Sequence, residues 1–283
     1  MILAASLGAA KAYIDYQLHL ELDTAINSAT DFVTIKYSDI NTSLLGSIYI
    51  DNLHLTATDY APVQIDTVTL YKAYQFHNPN VLPPHISIAI QGVQIPISDT
   101  AEPPPIIISA LGYAPYYLSS KELRGLGGSL INADVYLEAK SSPKKISILG
   151  MVDAHAWGKF RLSVDLINVP PPTSLSTAAS QIKLAKLTFN YTDKGIINRL
   201  FTRLAQRNKM TLADFKQTLI TKLKNDISQT GMALDTSIYR ALPKFIQIPN
   251  TLTVRLQPAP PITINTLQNA SPKRLGLKME GGK

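Results

Sequence analysis

The residue types that most often carry chemistry are few in this chain, and they are scattered. The five histidines, His19, His54, His77, His85 and His155, stand far apart, with no HExxH run and no carboxylate at metal-ligand spacing. Neither a zinc hydrolase nor any other metal centre is marked by such a pattern. The chain has no cysteine, which excludes thiol catalysis, thiolate zinc sites, iron–sulfur clusters and a disulfide framework together. Gly125-Leu126-Gly127-Gly128 resembles a phosphate loop only in composition. It lacks the lysine of GxxxxGK[ST], does not complete GxGxxG, and reads as a turn. No GxSxG elbow for a serine hydrolase occurs. Asp51 and Asp66 could form a carboxylate pair, but they hold equivalent places in two similar segments, and that pattern explains both without catalysis. Asn41-Thr42-Ser43 and Asn190-Tyr191-Thr192 match a glycosylation sequon that is common by chance. The expectation is a non-enzymatic protein with no cofactor and no metal.

The elements around these residues are more informative. Of 283 residues, 45% are hydrophobic and only 17% charged, so the chain can bury a large core and is not disordered. Abundant Ile, Leu, Thr, Ser and Tyr favour strands. Residues 1–180 carry a formal charge of −5 and residues 181–283 one of +12. Such a division calls for an anionic partner for the C-terminal third, or for an acidic surface, the chain's own first half included, lying against it.

Between 31 and 170 the hydropathy alternates, with a one-residue slip that recurs. Ile48, Ile50, Leu53 and Leu55 share a pattern with Val63, Ile65, Val68 and Leu70: two alternating apolar residues, an Asp and a polar residue, then two more. Residues 33–40 slip in the same way, as does the run Ile86, Ile88, Ile90, Val93 and Ile95. Successive strand side chains point to opposite faces, so an extra residue must be absorbed by a bulge or bend if both halves keep one apolar side. Repeated slips predict a bent antiparallel sheet, and these thirteen apolar residues are the expected lining of a groove in it. Residues 146–169 read as a hairpin around residues 154–158. Pro170-Pro171-Pro172 and the small residues after it are the expected domain boundary.

Met1 to Ala10 is apolar and is followed by Lys11, Tyr13 and Tyr16. It falls short of the ~20 residues that span a bilayer, so two readings stand: the end of a membrane helix that begins upstream, or a helix buried against a partner. The interface-like order of Lys and Tyr favours the membrane end. After residue 180, a strand over 184–191 precedes three amphipathic helices, over 196–207, from Thr211 toward Gly231, and over 236–245. Arg199, Arg203 and Arg207 recur every four residues, and Lys209, Lys216, Lys222 and Lys224 follow. These seven either sit on helices that cover the sheet or face anionic headgroups or an acidic protein. The arginines lack stacked aromatics or a helix-turn-helix around them, so nucleic acid is not an expected partner. A return strand over 251–256 and an edge strand at 262–264 lead to a loose basic tail over 270–283.

The expected class is therefore α+β, mainly β: an N-terminal helix over 1–30, an antiparallel β domain over 31–172, a strand, basic helical cap and return strand over 181–269, and the tail. The apolar N-terminal helix, the strand at 31–37 and the stretch Ser43 to Leu55 resemble the opening of AsmA-like membrane-anchored periplasmic proteins of Gram-negative bacteria. Residues 150–162 are similar to their continuing strands. The resemblance implies a bent sheet with an apolar inner groove, a single N-terminal anchor at the periplasmic face of the inner membrane, and a part in lipid transport. The expected function is a membrane-anchored envelope protein that binds or conveys lipid, with a structural or accessory subunit of an envelope assembly as the alternative.

Overall fold

The computed structural model describes residues 11, 15–20, 23–24, 33–43, 45–57, 61–76, 81–98, 119–174, 179–229 and 234–282. Among them, twelve strands form one antiparallel sheet: β1 (Thr34–Lys36), β2 (Asp39–Thr42), β3 (Ile48–Thr56), β4 (Val63–Tyr71), β5 (His85–Pro96), β6 (Leu130–Ser142), β7 (Lys145–Ala154), β8 (Gly158–Ile167), β9 (Lys183–Asp193), β10 (Thr251–Leu256), β11 (Ile262–Thr263) and β12 (Lys278–Gly281). Their order is β1-β3-β4-β5-β6-β7-β8-β9-β10-β12, with β2 beside β1 on the outer edge of β3 and β11 against β9. The sheet is bent and does not close.

Its register lines up the apolar residues across the strands. One row runs Ile48, Leu70, Ile88, Leu137, Gly150, Leu162, Phe189, Val254 and Met279, and the next runs Ile50, Val68, Ile90, Val135, Val152, Phe160, Tyr191, Leu252 and Gly281. Directly paired residues share a face, so nearly the whole width of the sheet has one apolar side.

The slips foreseen in the sequence fall on a single line. The β1/β2 break at Tyr37–Ser38, Asn52 of β3, Asp66 of β4 and Gly92 of β5 are neighbours across the sheet. Asn52 has φ +51° and Gly92 φ +64°. On β5, the register against β6 shifts between Ile90 and Val93, which sets Gln91 and Gly92 against one residue, Asp134, in a β-bulge. The Gly92 N–H turns to the Asp134 carboxylate at 2.9 Å. The bulge returns Val93 to the face of Ile90, as the slips on β3 and β4 return Leu53 and Ile65 to the face of Ile50 and Val68. From β6 onward, where Ala133, Val135 and Leu137 alternate plainly, the crease is not needed.

Four α-helices sit at one end of the apolar face: α1 (Ser120–Gly127), α2 (Ile196–Arg207), α3 (Leu212–Gln229) and α4 (Thr236–Gln247). Leu123 and Leu126 of α1, Leu200, Phe201 and Leu204 of α2, Phe215, Leu219 and Leu223 of α3 and Phe245 and Ile246 of α4 form one buried cluster with Tyr191, and Trp157, Phe160, Phe189 and Leu252 of the sheet pack against it. The stripes at helical spacing thus meet the strand rows. Caps close the helices as the residue types direct: a Ser119–Glu122 capping box for α1, the Thr211 hydroxyl accepting from the Asp214 N–H at 3.1 Å for α3, and the Asp235 carboxylate accepting from Ser237 N–H for α4.

Three expectations are corrected. Gly125 to Gly128, expected as a turn, is the last turn and C-cap of α1; the capping box upstream nucleates a helix that the glycines end. Pro170–Pro172 does not divide two domains, because β8 and β9 on either side of it pair from Gly158↔Asp193 to Ile167↔Lys183. Proline ends a strand by withholding a donor, and here it does so in the connection between two neighbours of one sheet. Residues 270–283 are not a loose tail: β12 pairs with β10, Arg255 with Glu280 at 2.7 Å, and the Met279 N–H donates to Ser237 Oγ.

Of the expected N-terminal helix, residues 15–20 and 23–24 are helical. Asp15 accepts from both the N–H (2.9 Å) and the hydroxyl (2.6 Å) of Thr42, which ties this helix to the end of β2. Residues 1–10 lie outside the described residues. No described helix is long and apolar enough to cross a membrane.

Candidate functional site

The apolar face is the feature from which a function can be built. Register places all thirteen expected groove residues on it: Ile48, Ile50, Leu53 and Leu55 of β3 face Leu70, Val68, Ile65 and Val63 of β4, and Ile86, Ile88, Ile90, Val93 and Ile95 of β5 continue the same rows into β6. The face extends well beyond them, to Leu137, Ile148, Leu162, Val164, Leu166 and Leu187 on β6–β9, because plain alternation in 131–139 and 146–166 carries the rows on. The helices cover only the end near the β7–β8 turn. Past that edge, Leu137, Ile148 and Leu162 are 41%, 37% and 40% exposed, in the middle strands of a sheet, where aliphatic side chains are ordinarily covered. At the far end, Ile146, Val81, Leu82, Val169 and Pro170–Pro172 surround an open pocket of about 550 Å³.

The opposite face is polar. Tyr136, Met151, Asp153, Lys159, Arg161 and Asn190 line an open groove of about 600 Å³ there. His85 bonds Glu138 at 2.7 Å and His155 bonds Asp134 at 3.3 Å, so each is hydrogen-bonded to a carboxyl group. Among the described residues no group of acidic residues and histidines is arranged to hold a metal. Asp51 and Asp66 sit at the crease, where Asp51 accepts from the Thr67 hydroxyl and the Asp66 carboxylate lies over Gly92.

The seven basic residues of the cap divide by role. Arg199 donates to the Ala156 carbonyl at 2.7 Å, and Arg203 and Arg207 reach the Glu122 carboxylate at 3.5 and 3.8 Å. They hold α2 against α1 and the β7–β8 turn. Lys216 is buried, not presented to an anionic surface: its ammonium donates to Asn198 Oδ1 and to the Gln247 carbonyl, each at 2.8 Å, and lies 6.0 Å from the Phe201 ring centroid. Burial pushes its pKa down, and its placement at the last carbonyl of α4 satisfies a group the helix leaves open. Lys209, Lys222 and Lys224 stand on the exposed side. Part of the charge division is thus consumed internally, since Glu122 meets two arginines and Asp153 meets Lys194 as well as Lys159.

Two of these carboxyls are held below the ordinary carboxylate range, Glu122 first by the Ser119 N–H and Asp153 first by its hydrogen bond from Lys194. A depressed folded-state pKa contributes stability above the unfolded value near 4 and loses it as pH falls through the folded one. Thermal melts should therefore hold level from pH 7 to about 5 and drop below about 4. In the double variant Glu122→Gln/Asp153→Asn that drop should be shallower; an unchanged acid limb would show that these carboxylates do not couple to folding.

These features define the class: an open, bent antiparallel sheet, apolar on one side, with a helical cap over one end of that side. Residues 151–281, which run from the last residues of β7 through β12 and include α2, α3 and α4, are similar to a protein family described only as an uncharacterized protein. Comparison with curated proteins finds no match to the chain.

Proposed function

We propose that this protein is a non-enzymatic, membrane-tethered carrier of the cell envelope that holds lipid acyl chains against the open part of its apolar sheet face. The observation that carries this reading is the exposure of Leu137, Ile148 and Leu162 on the apolar face past the edge of the cap. Exposed contiguous apolar surface on a folded chain marks a binding site rather than a neutral surface. Past the capped Phe160 row, the stretch from Leu162 to Leu166 of β8 covers about 13 Å at strand rise, close to the ~15 Å hydrocarbon depth of one leaflet. The leading apolar segment and its Lys and Tyr border support a tether, and the resemblance to AsmA-like proteins supports the periplasmic face of a Gram-negative inner membrane as its place. Lys209, Lys222 and Lys224 suit an acidic envelope partner.

The test is binding of a fluorescent fatty acid in solution. Leu137→Asp and Leu162→Asp each place a charge on the exposed face without opening the core, and each should weaken binding at least about tenfold, as the loss of roughly 1.5–3 kcal/mol of apolar contact implies. Melting temperatures should stay close to the parent. In the same series, a chain lacking residues 1–16 should bind the fatty acid equally but leave the membrane fraction. Tight binding by both Asp variants would move the ligand elsewhere, and no binding by the parent would leave the apolar face to a protein partner.

A further inference from the structure

The polar face of the sheet carries a groove that acyl-chain binding leaves unused. Register builds it from two adjacent rows across β5–β9. One row runs Ala89, Tyr136, Met151, Arg161 and Asn190, and the next runs Asp134, Asp153, Lys159 and Thr192. Directly paired residues share a face, and all of these line the open groove of about 600 Å³.

The charges of the two rows are balanced differently. In the second row each carboxylate has its partners: Asp134 accepts from the Gly92 N–H at 2.9 Å and bonds His155, and Asp153 meets Lys159 at 2.9 Å and Lys194 as well. In the first row Arg161 is the sole charge. Its neighbours there are Met151 and Asn190, those in the row beyond are Leu149, Ser163 and Thr188, and Lys159 beside it on β8 repeats its sign. Among the described residues Arg161 makes no ion pair and no hydrogen bond. The bonds that are made nearby leave donors over. The Ser87 hydroxyl donates to the Tyr136 oxygen at 3.0 Å, so the Tyr136 O–H keeps its hydrogen for another acceptor. The Thr253 hydroxyl donates to Asn190 Oδ1 at 2.8 Å, which fixes the amide and leaves its NH₂ without a partner among the described residues. Met151 separates Arg161 from Tyr136, a distance of two strand spacings or about 10 Å.

We propose that this groove binds a small aromatic carboxylate, with the carboxylate on the Arg161 guanidinium and the Asn190 amide, the ring over Met151, and the Tyr136 hydroxyl beyond it. The planar fork of a guanidinium matches the edge of a carboxylate. A thioether makes favourable contact with a ring, and an apolar floor with a few placed donors is the usual form of a small-molecule site. A neutral ligand would leave the guanidinium without a counter-charge, and a cation would meet only carboxylates that are already engaged. The groove lies on the face opposite Leu137 and Leu162, so it stands independently of the carrier reading.

The experiment is calorimetric titration of the full chain with naphthoate, and with naphthamide as its uncharged analogue. A single naphthoate should bind per chain, at least about tenfold tighter than naphthamide, as charge-assisted hydrogen bonds imply. Arg161→Gln should lose at least about tenfold in naphthoate affinity and little in naphthamide affinity. Arg161→Lys keeps the charge but not the fork and should recover only part of the loss. Arg161 is exposed, so both variants should melt with the parent. Arg161→Gln should still bind the fluorescent fatty acid, and Leu162→Asp should still bind naphthoate, so the two sites fail separately. Naphthoate binding that Arg161→Gln leaves unchanged, or that Leu162→Asp abolishes, would overturn the site. So would naphthamide bound as tightly as naphthoate, or a parent that binds neither.

Discussion

Leu204→Ala should lower the free energy of unfolding by about 3–5 kcal/mol, the range for emptying a fully buried leucine site. Leu204 is 0% exposed, at the centre of the cluster where α1, α2 and α3 meet the sheet. Its neighbours are themselves close-packed: Phe201 and Phe215 lie 6.0 Å apart between centroids, and Tyr191 lies 5.0 Å from Phe160. Side chains held this way cannot relax into the vacated volume, so the cavity term adds to the lost transfer free energy. Leu137→Ala supplies the control, since at 41% exposure it removes the same atoms from a site already open to solvent and should cost less than about 1 kcal/mol. Urea denaturation of the two variants separates them. Equal losses would mean that the cap does not provide the main core, or that the middle of the apolar face is covered in solution.

Gly92→Val should be the most damaging single change in the sheet. Gly92 has φ +64°, and a Cβ there would lie 1.9 Å from the Asp66 carboxylate oxygen and 2.8 Å from its Cβ. The left-handed conformation alone costs a non-glycine residue about 1–2 kcal/mol, and a β-branched side chain more. The clash adds to that, since relief requires Asp66 to swing away or the bulge to straighten. Straightening would put Val93 and Ile95 on the polar face, so the expected outcome is a loss of at least about 3 kcal/mol together with weakened fatty-acid binding. The double variant Asp66→Ala/Gly92→Val removes the clash but not the conformational cost and should recover only part of the loss; a full recovery would show that the backbone at 92 is not held in the bulge. Asn52, at φ +51°, offers the converse case, and Asn52→Gly should be neutral or mildly stabilising.

Much of this architecture could be read from residue order because the governing periods are local. The slips at Asp51-Asn52, Asp66-Thr67 and Gln91-Gly92 required a crease before any partner strand was known, and the three helices after residue 195 followed from their stripes and caps. What could not be read depended on partners. Alternation in 131–139 carried a strand signal as clear as that of β5, but its importance appeared only when register placed Leu137 and Leu162 side by side outside the cap. Lys216 looked like its neighbours on a basic helix, and only the arrival of α4, with the Gln247 carbonyl, turned it inward. The last strand was hidden by its brevity and by Lys278 and Glu280, which belong at a sheet edge because charge there discourages further pairing. The gathering of the helices at one end of the sheet is likewise a property of the assembled strands.

Native mass spectrometry of the full chain, purified in mild detergent, bears most directly on the proposed role. The parent should carry phospholipid as a resolved mass increment that survives gentle activation, and Leu162→Asp, with an unchanged melting temperature, should arrive empty. A parent that is uniformly free of lipid, with Leu137 and Leu162 protected from solvent labelling by another protein, would contradict a carrier and identify the oily side of the sheet as an assembly surface.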